Sequence, residues 1–73
     1  AGELSAAIEA CEQLCLDRPD ESAPVIKLYR LYRAQGDTQN GLDALEAFRS
    51  RHPDDLDALK EHGIALIREN EFK

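Results

Sequence analysis

A 34-residue period runs through this sequence and leaves few folds open to it. Sliding the chain by that interval superimposes its turn residues and its apolar pattern together. Gly2-Glu3 falls on Gly36-Asp37 and then on Asn70-Glu71, while Pro19-Asp20 falls on Pro53-Asp54. Between these markers Ala7, Ile8, Ala10, Cys11, Glu12 and Leu14 fall on Gly41, Leu42, Ala44, Leu45, Glu46 and Phe48. Val25 and Tyr32 fall in the same way on Leu59 and Leu66. Two kinds of segment therefore alternate, each burying its apolar face only against its neighbours.

The spacing within each segment is helical. Leu4, Ile8, Cys11, Leu14 and Cys15 keep the three-and-four interval of one helix face. Val25, Leu28, Leu31 and Tyr32 make a second stripe, Leu42, Leu45 and Phe48 a third, and Leu59, Leu66 and Ile67 with Gly63 and Ala65 a fourth. The pattern predicts helices over 3–17, 22–35, 38–51 and 56–70. Gly36 supplies a left-handed stop, Pro19 and Pro53 forbid continuation of the first and third helices, and Ser22 and Asp55 are the expected N-caps. Pro24 is tolerated because it lies in a first turn. Links this short force antiparallel neighbours, so the fold class is all-α, an antiparallel αα-hairpin stack of about four helices.

Seventy-three residues make one small domain with a thin core. Hydrophobic residues are 42% of the chain and charged residues 33%, a globular composition rather than a disordered one. Fifteen acids against nine bases give a net charge of -6, which repels a phosphate backbone and disfavours nucleic acid as a partner. No apolar run approaches the length of a membrane span, so membrane insertion is not expected. The absence of methionine, even at residue 1, suggests residues drawn from a longer polypeptide. Cys11 and Cys15 stand four apart on one helix, a poor geometry for a disulfide. Free thiols favour a reducing compartment such as the cytoplasm, although two buried cysteines also survive in an oxidising one, so the compartment stays open.

Period, helix pairs and preferred residues together resemble the tetratricopeptide repeat family. Leu28, Tyr32, Gly36, Leu45 and Pro53 match its favoured residue types, as do Ala7, Pro19 and Gly63. In that register residues 1–21 are the second half of one repeat, 22–55 a complete repeat and 56–73 the first half of the next. Val25 and Leu59 replace the family's frequent tryptophan, and Tyr29 stands where a small residue is usual, facing Gly41 where alanine is usual. That exchange predicts volume compensation, a large ring accepted because its partner shrank.

The resemblance implies a concave groove lined by the first-type helices, with Ala23, Ile26, Lys27, Arg30 and Arg33 on one and Asp57, Lys60, Glu61, Ile64 and Arg68 on the other. The second helix carries bases and no acids, a local inversion of sign in an acidic chain. Lys27, Arg30, Arg33, Lys60 and Arg68 are thus the candidate groove residues, and an acidic protein or peptide the expected partner. The competing reading is that exposed bases only solvate the surface and offset neighbouring acids. The groove departs from the family's carboxylate clamp, which favours asparagine at Arg30 and a base at Ile26.

A protein-interaction module of a bacterial-type tetratricopeptide protein is the function this implies, and a structural spacer or self-association segment the alternative. Open repeat ends predict dimerisation or domain swapping in isolation. Catalysis is not expected: the chain lacks a nucleophile elbow, a phosphate loop and an HExxH pair. No cofactor or metal is expected either, since only His52 and His62, on later segments, remain to join the two cysteines. His62 on the apolar side of the fourth helix reads as a half-buried structural residue, and His52 as part of a loop.

Overall fold

The computed structural model describes the backbone of residues 2–71 and the side chains of residues 2–69, and every described segment of regular structure is α-helical. The helices are α1 (Gly2–Asp17), α2 (Ser22–Gln35), α3 (Thr38–Arg51) and α4 (Leu56–Glu71). All four expected helices form, with α1 starting and α4 ending one residue beyond the expected limits.

The turns show the period in the backbone itself. The Arg18 amide donates to the Leu14 carbonyl at 2.8 Å, and 34 residues later the His52 amide donates to the Phe48 carbonyl at 2.9 Å. Glu21 N–H to Arg18 O at 3.2 Å is repeated as Asp55 N–H to His52 O at 3.1 Å. Between α2 and α3 the chain reverses at Gly36, the one described residue with positive φ, at 96°. Its amide donates to Arg33 O and that of Asp37 to Tyr32 O, which satisfies the last carbonyls of α2 in a Schellman motif.

The two expected caps differ. Asp55 caps α4, its Oδ1 accepting from the Ala58 amide at 3.0 Å. Ser22 does not cap α2: it is the first helical residue and is buried, and Glu21 takes the cap position without a side-chain cap bond. The Glu21 carboxylate pairs instead with Arg18 at 3.5 Å. Pro24 has no N–H, so the first turn of α2 has one donor fewer to satisfy.

Successive helices pack as antiparallel hairpins, and α2 also touches α4. Gln35 at the end of α2 donates to Ser5 near the start of α1, and Cys11 Sγ donates to the carbonyl of Pro24 at the start of α2. The result is a slab with Cα extents of 34 × 34 × 14 Å. Its thickness is that of two helix layers, α1 and α3 in one and α2 and α4 in the other, since axes about 9 Å apart plus backbone radii of about 2.3 Å on each side give roughly 14 Å.

Two clusters make the core. Val25, Tyr29, Leu45, Phe48, Ala58 and Ala65 form the larger, and Ile8, Cys11 and Leu28 the smaller. The compensation expected at Tyr29 is present. The ring is fully buried, and a Cβ placed on Gly41 would lie 2.9 Å from Tyr29 Cδ1, 3.0 Å from its carbonyl oxygen and 3.1 Å from its Cα. Backbone cannot yield as a flexible side chain does, so residue 41 must be glycine for α2 and α3 to approach this closely.

Part of the fourth stripe and part of the first are corrected, while Ala65 of the fourth is fully buried as expected. Leu14, Leu59, Leu66 and Ile67 are 41, 42, 46 and 63% exposed rather than buried. On α4 the buried line is Ala58, His62 and Ala65. The physical reason is that α3 and α2 cover only one side of α4, and no described helix lies on the other.

Candidate functional site

A hollow on the slab's surface is lined by α2 and α4. Both run antiparallel to α3, so they lie parallel to each other and residues near their starts come together. Ser22, Ala23, Ile26, Lys27 and Arg30 of α2 and Asp57, Lys60 and Glu61 of α4 line this hollow of about 580 Å³. Three bases and two acids give this surface a net charge of +1, against -6 for the whole chain.

Three of the candidate groove residues, Lys27, Arg30 and Lys60, meet here. Arg30 is already engaged: its Nε and Nη2 donate to Glu61 Oε1 and Oε2, both at 3.4 Å. The arginine side chain is 67% exposed and the glutamate 15%, so water screens the pair on one side and α4 shields it on the other. Arg33 and Arg68 do not line the hollow. They lie half-buried in the last turns of α2 and α4, where a cation stabilises the negative end of the helix dipole.

Glu61 was among the groove residues read from sequence, but its bond to Arg30 was not foreseen. Its repeat equivalent is Lys27, one turn before Arg30 on the same face of α2. In parallel helices one period apart, residue i and residue i+31 are diagonal neighbours. That offset is the signal that finds the pair.

Other polar groups sit in the joints between helices. His62 is 8% exposed, more buried than expected. Its Nδ1 lies 2.8 Å from Arg49 Nη1. Arginine only donates, so Nδ1 accepts and the imidazole is neutral. Burial and the Arg49 charge both hold its pKa below the usual histidine value. Arg49 Nε and the Tyr29 hydroxyl are buried and have no hydrogen-bond partner among the described residues. His52 does more than occupy a loop. Its ring stacks on Phe48 with centroids 4.6 Å apart, and its Nε2 lies 3.3 Å from Asp20, joining one Pro-Asp turn to the next.

Cys11 is a buried free thiol and Cys15 a half-buried one. Burial raises both pKa values, so the thiolate forms are disfavoured and the sulfurs pack as small hydrophobes. Among the described residues no helix is long and apolar enough to cross a membrane. Comparison with protein-family models, curated proteins and solved structures finds no match to this chain.

Proposed function

We propose that this chain is a protein-interaction module of tetratricopeptide-repeat type, and that the α2–α4 hollow receives an acidic segment of a partner protein. The observation that carries this reading is the convergence of Lys27, Arg30 and Lys60 around Ile26 on one concave surface of an acidic molecule. An apolar floor with a few convergent charges suits an extended peptide or a helix face. The buried polar groups, by contrast, serve helix joints, which supports binding rather than catalysis.

The Arg30–Glu61 pair sets how such a ligand binds. An incoming carboxylate competes with Glu61 for the guanidinium, while Lys27 and Lys60 attract it from either side. Titration of a fluorescent acidic peptide, read by anisotropy, tests this. Exposed charge contacts are worth up to about 1 kcal/mol each. Lys60→Glu is therefore expected to weaken binding about threefold to tenfold, and Glu61→Gln to tighten it by freeing Arg30. Equal affinity in all three proteins rejects the hollow as the binding surface. A second reading, a spacer or self-associating segment, is favoured by the exposed Leu56, Leu59, Leu66 and Ile67 on α4.

A further inference from the structure

α4 carries two apolar lines. Ala58, His62 and Ala65 face the core. Leu59, Gly63 and Leu66 fall within about 60° of one another at 100° per residue and form a second line, flanked by Leu56 and Ile67. At the other end of the slab a hollow of about 230 Å³ opens between α1 and α2, lined by Leu14, Ala23, Pro24 and Lys27 together with the Arg18–Glu21 ion pair. The accessible surface is 4960 Å², against about 4,500 Å² for a monomer of this mass.

These two features are the halves of an interface that the molecule already contains, displaced by one period. Inside the chain α2 sits against α3 and α4, with Val25 and Tyr29 clustered with Phe48 and Ala58. Moving each residue by 34 turns Val25 and Tyr29 into Leu59 and Gly63 of α4, and Phe48 and Ala58 into Leu14 and Pro24 of the hollow. α4 thus displays the counterpart of what α2 inserts, and the α1–α2 hollow the counterpart of what receives it.

The displaced pairs also match. Val25 with Phe48 becomes Leu59 with Leu14, an exchange of apolar for apolar. The close Tyr29–Gly41 contact becomes Gly63 on Ala7, two small residues that let the helices approach. The Arg30–Glu61 pair becomes Ile64 beside Lys27, an apolar residue along a lysine stem, so no like charges are opposed there.

We propose that the chain associates head to tail with further copies of itself, α4 of one copy seated in the α1–α2 hollow of the next. Face and hollow are different surfaces, so the contact is heterologous and leaves one free face and one free hollow on every assembly. Growth then continues past two copies, and added salt promotes it by screening the charge of -6 on each copy.

Light scattering across a dilution series of the native chain tests this, with weight-average mass expected to climb beyond two copies. Leu14→Lys blocks the hollow and Leu59→Lys blocks the face. Both sites are exposed enough for the fold to tolerate them, which far-UV circular dichroism checks. An ammonium buried beside Lys27 and Arg18 meets like charge as well as desolvation and weakens association on the order of a hundredfold or more, so each variant alone is expected to be monomeric. An equimolar mixture of the two is expected to form a complex of two copies and no more, because one intact face meets one intact hollow. A native chain monomeric at every concentration overturns the proposal. So does a single variant that still self-associates, or a mixture that stays monomeric. Neither substitution lies in the α2–α4 hollow, but the two hollows share Ala23 and Lys27, so peptide titration of the monomeric variants is what separates peptide binding from association.

Discussion

The α1–α2 and α3–α4 joints stand one period apart and solve the same packing problem with different chemistry. In the first, Ile8, Cys11 and Leu28 close an apolar cluster, and the Cys11 thiol donates to the Pro24 carbonyl at 3.0 Å. In the second, Leu45 and Ala58 take the places of Cys11 and Pro24, while Arg49 and His62 take those of Cys15 and Leu28. An apolar contact has become a hydrogen bond from a guanidinium to a neutral imidazole. The lesson is that the repeat conserves the backbone path and leaves the chemistry of each joint free. What it requires is a pair of side chains of suitable combined size with their polar atoms accounted for.

The largest expected effect comes from emptying the first joint. Leu28→Ala removes a buried side chain from a cluster with few other members, and buried leucine-to-alanine changes cost about 2–5 kcal/mol. For a chain of this size that is expected to abolish most of the cooperative transition in urea. An unchanged midpoint means that the first joint does not hold the fold.

A smaller difference separates the turns that lead into α2 and α4. Asp55→Ala deletes the bond to the Ala58 amide and is expected to cost about 1 kcal/mol, while Glu21→Ala, which removes no cap, is expected to leave the melting temperature nearly unchanged. Equal losses mean that the two turns are not distinguished by capping.

The last effect is a slope with pH, and it belongs to the second joint alone. His62 has a folded pKa below its unfolded value, so between the two the unfolded chain binds a proton that the folded chain refuses. Stability is expected to be flat in this respect near pH 7 and to fall as the pH drops below about 6.5. Arg49 and Glu46 of α3 are the charged groups that act on the imidazole, the first lowering its pKa and the second raising it. His62→Leu, which installs the residue found one period earlier, is expected to flatten the profile between pH 5 and 7. An unchanged slope in chemical denaturation assigns the acid sensitivity elsewhere.

Much of this architecture was legible in the chain. Short-range rules set the helix limits: Gly36 stops α2 because only glycine adopts its φ at no cost, and Pro19 and Pro53 end α1 and α3 because proline cannot continue them. The close Tyr29–Gly41 contact was legible too, because size at paired positions carries its own compensation. The site was only partly legible. Lys27, Arg30 and Lys60 share one hollow, but periodicity could not tell them from Arg33 and Arg68, which share a helix face with them and lie in its last turn.

The sequence by itself determined the 34-residue register, the four helices and their antiparallel order, since each depends on spacing and on turn residues within a few positions. Only the tertiary structure decided which side of α4 is covered, that Glu61 holds Arg30, and that His62 is buried against Arg49. Those outcomes depend on which helices sit beside one another. A period says that faces repeat, whereas burial depends on whether a neighbour is present to cover each one.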